Sequence, residues 1–195
     1  MVTSWQRPRR GARIAIVAFL GLALLAGIAA VVASGDGTGS SSAGAGEGGG
    51  GERGSFAQGD VLPDSLTIEM FDGETARLAD FRGQPVVLNF FASWCPPCLA
   101  EMPDFEAVHQ EVAGEVAFLG AAMQDDSREL ALGVVEQTGV TYDLAWDPAG
   151  DLFRSFGGFN MPTTVFIDAD GRFVERHNGI MTIDQLRAAV EDLRT

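Results

Sequence analysis

Val86-Val87-Leu88-Asn89-Phe90-Phe91-Ala92-Ser93-Trp94-Cys95-Pro96-Pro97-Cys98 is the stretch whose reading decides the fold. Its first six residues form a mostly apolar run, which suits a central strand buried on both faces. A helix is expected from about Pro96 to Ala113, with Leu99, Met102, Phe105, Ala107, Val108 and Val112 as its buried stripe. Pro103 falls inside that pattern, removes one backbone donor and is expected to kink the helix. Between strand and helix stand Cys95 and Cys98, the only two cysteines of the chain. A C-x-x-C pair behind Trp94 and ahead of a helix has the spacing of a reversible redox dithiol.

Outward from this unit, strands and helices alternate. Val116–Ala122 reads as a second strand and residues 127–138 as a helix ending near Gly139. Leu144-Ala145-Trp146 suggests a short strand, and Gly150–Phe156 a short helix. Thr163–Ile167 and Arg172–Arg176, separated by Asp168-Ala169-Asp170-Gly171, read as a β-hairpin. A last helix is expected from about Ile183 to Leu193 with Thr182 as its N-cap. Residues 61–81 should add a small strand pair in front. The whole is a βαβ unit followed by a hairpin and a closing helix, an α/β domain with a mixed sheet. No internal repeat is visible.

The N-terminus reads as a membrane address. Residues 14–33 run for 20 positions without a charge or a strongly polar side chain. A helix of that length spans roughly 30 Å, the hydrocarbon thickness of a bilayer. Arg7, Arg9, Arg10 and Arg13 precede it, so residues 1–13 are expected to stay cytoplasmic and everything after residue 33 to lie across the membrane. A cleaved signal peptide is the other reading, since Val31-Val32-Ala33 resembles a small-residue cleavage site. Both readings export the domain. Residues 34–55 are dominated by Gly and Ser and should be a flexible tether with a reach of about 25 Å. Residues 56–195 have ordinary globular composition and suit one domain.

Charge is lopsided. All 27 acids follow residue 33, against nine of the 13 basic residues, a net −18 for the exported part. That argues against nucleic acid and against docking on anionic lipid head groups, and favours solubility or a basic partner. Every basic residue is Arg.

The chemistry follows from the helix end. A thiolate attacks disulfides, and a free cysteine with a pKa near about 8.5 is mostly protonated at neutral pH. Cys95 sits just before the helix, where unsatisfied amides and the macrodipole favour negative charge, so it is expected to be the exposed, low-pKa nucleophile. Cys98, about one turn in, can attack the mixed disulfide and release product. Pro96 and Pro97 stiffen the bridge. A permanent structural disulfide is the competing reading, although closing so short a loop restricts the unfolded chain little. Half of a zinc site completed by His109 and His177 is another, weakened by the absence of a second C-x-x-C. No metal and no cofactor are expected. Glu101 shares a helix face with Cys98. It is either an acid of the first helical turn favoured by the macrodipole, or a carboxylate that exchanges protons with the dithiol. Trp94 is either a substrate contact or a lid on the edge of the core.

The run Val87–Cys98 followed by Glu101-Met102-Pro103 resembles the thioredoxin fold, and more narrowly the TlpA/ResA-like membrane-anchored thiol–disulfide oxidoreductases of bacteria. Phe159-Asn160-Met161-Pro162-Thr163-Thr164 is similar to that family's cis-proline segment, and Phe81-Arg82-Gly83-Gln84-Pro85 to its approach to the first core strand. Phe91 departs from the Trp usual in the family and keeps an aromatic there. The resemblance covers roughly residues 60–193. It implies an active-site role for Glu101. It also implies a cis bond at Pro162, which composition alone would not favour, exposing the Met161 backbone to an extended substrate peptide. It implies protein thiol and disulfide substrates, apocytochrome c among them, with re-reduction by an integral-membrane electron donor. The expected activity is reductive. An oxidant that inserts disulfides, a peptide-binding scaffold or chaperone with the same fold, and a peroxiredoxin-type peroxidase are the alternatives.

Overall fold

The structure, a computed structural model, describes residues 55–195. The expected basic N-terminus, the span at 14–33 and the tether up to Gly54 lie outside the described residues. Among the described residues no helix is long and apolar enough to cross a membrane.

The strands are β1 (Thr67–Glu69), β2 (Thr75–Arg77), β3 (Val86–Phe91), β4 (Ala117–Met123), β5 (Asp143–Asp147), β6 (Thr163–Ile167) and β7 (Phe173–Asn178). The helices are α1 (Pro96–Glu111), α2 (Arg128–Thr138), α3 (Asp151–Ser155) and α4 (Ile183–Leu193), and a 3₁₀ turn covers Leu78–Phe81. β1 and β2 form the small antiparallel pair expected in front. The other five strands form one mixed sheet in the order β5-β4-β3-β6-β7. β3, β4 and β5 run parallel, and β6 and β7 complete the sheet antiparallel. The central place of β3 explains its composition: all six residues are buried.

Period-two alternation splits β3 between two cores. Val87 and Phe91 pack with α1, α2 and α4, while Val86, Leu88 and Phe90 pack with Phe153, Phe156, Leu62 and Ile68 on the other face. Phe90 meets Phe153 edge-on at 5.3 Å between ring centroids, a favoured aromatic geometry. Asn89, on the Val87 and Phe91 side by the same alternation, is turned toward α1.

Helix ends follow their capping chemistry. Ser127 accepts from the Leu130 N–H, and Gly139 ends α2 with φ of 73°, where a side chain would be strained. Thr182 and Gln185 form a reciprocal capping box at α4, as the sequence implied for Thr182. The last strand differs from expectation. Arg172 bridges back to Val61, and β7 starts at Phe173 and continues to Asn178, paired with Thr163. In α1 the expected stripe holds at Met102, Phe105, Val108 and Val112 and departs from expectation at Leu99 and Ala107. Its buried residues are Cys98, Glu101, Met102, Phe105 and Val108, with Val112 just beyond, while Leu99 is half-buried and Ala107 exposed. With Cys98 turned into the core, the i, i+3, i+4 stripe starts there and carries Ala107 round to solvent. Pro103 lies on the exposed face of α1.

Candidate active site

The loop from the end of β3 to the start of α1 carries the cysteines. Cys95 is the N-cap of α1, and Pro96 and Pro97 take the first two helical positions, where a missing N–H breaks no helical bond. Cys95 and Cys98 form a disulfide with 5.3 Å between their Cα atoms. The Cys98 N–H is shared between the Cys95 carbonyl at 3.0 Å and the Cys95 Sγ at 3.3 Å, so an amide of the first helical turn reaches the sulfur. A thiolate at that position gains a charge-assisted hydrogen bond and the favourable end of the helix dipole.

Cys95 is 3% exposed and Cys98 0%, so the first sulfur is not the open surface group the helix-cap argument suggested. In the disulfide it is turned toward its partner and reached through a cleft of about 400 Å³. Trp94, Cys95, Pro96, Phe159, Asn160 and Met161 are among the residues lining that cleft. The Met161–Pro162 peptide bond is cis, and the cleft brings its segment beside the cysteines, as the resemblance implied. The Gly179 N–H donates to the Pro162 carbonyl at 2.8 Å, which ties the segment to the loop after β7. Among the described residues the main chain of Met161 makes no hydrogen bond.

Trp94 is 54% exposed, and its indole N–H donates to the Gln124 carbonyl at 3.0 Å. Gln124 has φ of 51°, rare for a non-glycine residue, and Asp125 beside it accepts from both the Ser93 N–H and the Ser93 hydroxyl. The loop after β4 therefore grips the residues just ahead of Cys95. Sequence reasoning missed this clamp, since nothing local in Gln124-Asp125 points to Ser93-Trp94.

Glu101 is buried, at 1% exposure, in the second turn of α1. The reading of it as an acid of the first helical turn favoured by the macrodipole is thereby corrected. Its Oε1 accepts from Asn89 Nδ2 at 3.0 Å and its Oε2 from the Met181 N–H at 2.9 Å. Among the described residues no basic side chain pairs with it. Burial pushes its pKa up to about 7, with the two hydrogen bonds holding it back and the Asp104 charge adding a little. A buried acid titrating near neutrality, three residues from Cys98, suits proton exchange at physiological pH. Asn89 went unnoticed from sequence, although an amide inside an otherwise apolar central strand is itself a signal.

A larger cavity of about 610 Å³ opens between Gly83, Pro85, Glu115, Asp168 and Arg194. No cysteine lines it.

A mixed sheet whose central strand delivers a C-x-x-C disulfide to a helix N-terminus, with a cis-proline beside it, defines a thioredoxin-like thiol–disulfide oxidoreductase. The Redoxin family model matches residues 57–193, and the chain belongs to that family. It is 30% identical over 138 residues to the thiol-disulfide oxidoreductase ResA of Oceanobacillus iheyensis, covering 69% of this chain and 72% of that one. Among solved structures it is similar to a putative thiol:disulfide interchange protein DsbE from Chlorobium tepidum. That match has 27% identity and a TM-score of 0.65, covering 72% of this chain and 100% of that one. A secreted Mycobacterium tuberculosis disulfide oxidoreductase homologous to E. coli DsbE matches with 27% identity and a TM-score of 0.60, over 66% of this chain and 96% of that one.

Proposed function

We propose that this enzyme is a membrane-tethered oxidoreductase that reduces disulfides of exported proteins, with Cys95 as nucleophile and Cys98 as resolving thiol. The observation that carries this is the Cys95–Cys98 disulfide at the N-terminus of α1, beside the open cleft and within three residues of a buried acid. In the reduced enzyme the Cys95 thiolate attacks one sulfur of a substrate disulfide. A mixed disulfide forms and the other substrate sulfur leaves as thiolate. Cys98 then gives its proton to the Glu101 carboxylate and attacks the Cys95 sulfur. The second substrate thiolate is released, and the Cys95–Cys98 disulfide of this structure results. Two electrons pass to the substrate, and a membrane dithiol donor must return them.

Trp94, Met161 and Pro162 hold the substrate in this reading. The unpaired Met161 main chain supports pairing with an extended peptide, and the exposed Trp94 ring lies at the same cleft. Export is supported by the arginines and apolar run ahead of the domain, and by the secreted relative. The reductive direction, and apocytochrome c as one substrate, rest on the resemblance to ResA-type proteins.

Mixed-disulfide trapping tests the reading. Cys98→Ser should accumulate a covalent adduct with a disulfide-bonded substrate protein, released by reductant, whereas Cys95→Ser should form none. Equal trapping by both variants would abolish the assigned roles. If neither variant traps and both retain peptide binding, the scaffold alternative takes over.

A further inference from the structure

Asn89 sits on the central strand at 1% exposure, an amide among Phe and Val side chains. Its Nδ2 donates to Glu101 Oε1 at 3.0 Å and to Thr164 Oγ1 at 3.2 Å, while its Oδ1 is buried without a hydrogen-bond partner. An orphaned buried acceptor is costly, so a reason for it is required. The surroundings supply one. Glu101 Oε2 faces a fixed donor, the Met181 N–H, which accepts nothing in return. A proton on Glu101 therefore belongs on Oε1, and there it needs an acceptor. Asn89 Oδ1 is an acceptor without a partner, at the other end of the amide already in contact with Oε1.

We infer that Asn89 is the positioning residue for the Glu101 proton, its amide donating to the carboxylate and turning over to accept from the carboxylic acid. The two ends of an amide are nearly equal in size, so a half-turn exchanges donor for acceptor without repacking. The Thr164 hydroxyl follows, because it accepts from Nδ2 in one arrangement and donates to Oδ1 in the other. Each arrangement leaves one amide atom unpartnered, so that cost is similar on both sides of the titration. Thr164 lies two residues after Pro162, and Met181 lies in the loop bonded to the Pro162 carbonyl through Gly179. The proton site is thus framed by the cis-proline segment and the loop bonded to it. The titratable groups coupled to Glu101 are Asp104 on α1 and Tyr142 ahead of β5; β3, β6 and the loop after β7 present only Asn89, Thr164 and a main-chain N–H.

This rests on the reading of Glu101 as the proton acceptor, and the test separates the two. In the disulfide form of the full-length chain, the Glu101 carboxyl carbon and the Asn89 side-chain amide are followed by NMR across the titration. The Asn89 amide protons should lose their contacts with Glu101 and Thr164 as Glu101 takes its proton, with one shared midpoint. Unchanged contacts on both sides of the midpoint would overturn the inference. In Asn89→Leu the carboxylate loses a charge-assisted bond and the acid only a neutral one, which is weaker by roughly half. The Glu101 midpoint should then rise by about one pH unit, roughly tenfold in proton affinity. A midpoint that does not move would also overturn it. If Asn89→Leu does not fold, the wild-type contacts decide. The rate of Cys95 alkylation against pH, in the reduced chain, is the separate readout. A Glu101 midpoint that moves without moving that profile upholds Asn89 and overturns the part of Glu101 in the thiol chemistry.

Discussion

Replacing Glu101 by Gln should change how the stability of the enzyme depends on pH. In the fold the Glu101 pKa is raised from an ordinary 4.5 to about 7, chiefly by burial. Below about pH 4.5 the carboxyl is neutral in folded and unfolded chains alike and the burial costs nothing extra. Between about 4.5 and 7 the unfolded chain has released the proton and the folded one still holds it, so stability falls as pH rises. Above about 7 both are ionised and the full penalty stands. At about 1.4 kcal/mol per pH unit, the wild type should lose about 3 kcal/mol over this window through this one group. Gln cannot ionise, and its amide can donate to the Asn89 Oδ1 that now lacks a partner. Urea unfolding of the oxidised wild type and of Glu101→Gln, at matched pH values from below 4.5 to above 7, gives the difference directly. Other shifted acids, such as Asp143 and Asp147, raised by burial, cancel in that difference. The variant should gain on the wild type progressively with rising pH. A difference that stays flat would refute the claim that Glu101 titrates near neutrality inside the fold.

Other expectations follow from particular contacts. Gly120→Ala would place a Cβ 2.9 Å from Tyr142 Cε2 and 3.3 Å from both Leu144 Cδ2 and Phe91 Cε1, so overpacking should cost about 1–3 kcal/mol in a denaturant melt. Thr182→Ala removes the side-chain half of the α4 capping box and should cost about 1 kcal/mol, measured the same way. Phe159 is 74% exposed at the cleft, so Phe159→Ala should leave stability within about 0.5 kcal/mol while raising KM for a disulfide-containing peptide several-fold. An unchanged KM would remove Phe159 from the substrate contact.

Much of this fold is legible along the chain because its signals are local. The mostly apolar run predicts β3 from Val86 to Phe91, and the structure has the same bounds. Thr182, with Gln185 three residues on, announces α4 through its own side-chain bonds. Gly139 and Ser127 do the same for α2. What escapes is what depends on two elements meeting. Cys95 and Met161 are 66 residues apart in sequence and meet only as walls of one cleft. Asn89 and Glu101 are 12 residues apart on a strand and a helix, and only the rotation of α1 on the sheet brings them into contact. Ala107 faces solvent because the buried stripe runs through Cys98, Glu101, Met102, Phe105 and Val108. Ser93 and Asp125 are 32 residues apart, and their bond exists only because β3 and β4 run parallel side by side.

The central claim is that Cys95 and Cys98 cycle as a reductant of exported disulfides. Equilibrating the protein against thiol–disulfide buffers and quantifying the Cys95–Cys98 disulfide gives its reduction potential. The account predicts a reversible couple at about −230 mV or lower, among the dithiols that donate electrons. A value near about −120 to −150 mV would make the enzyme an oxidant and contradict the direction proposed here.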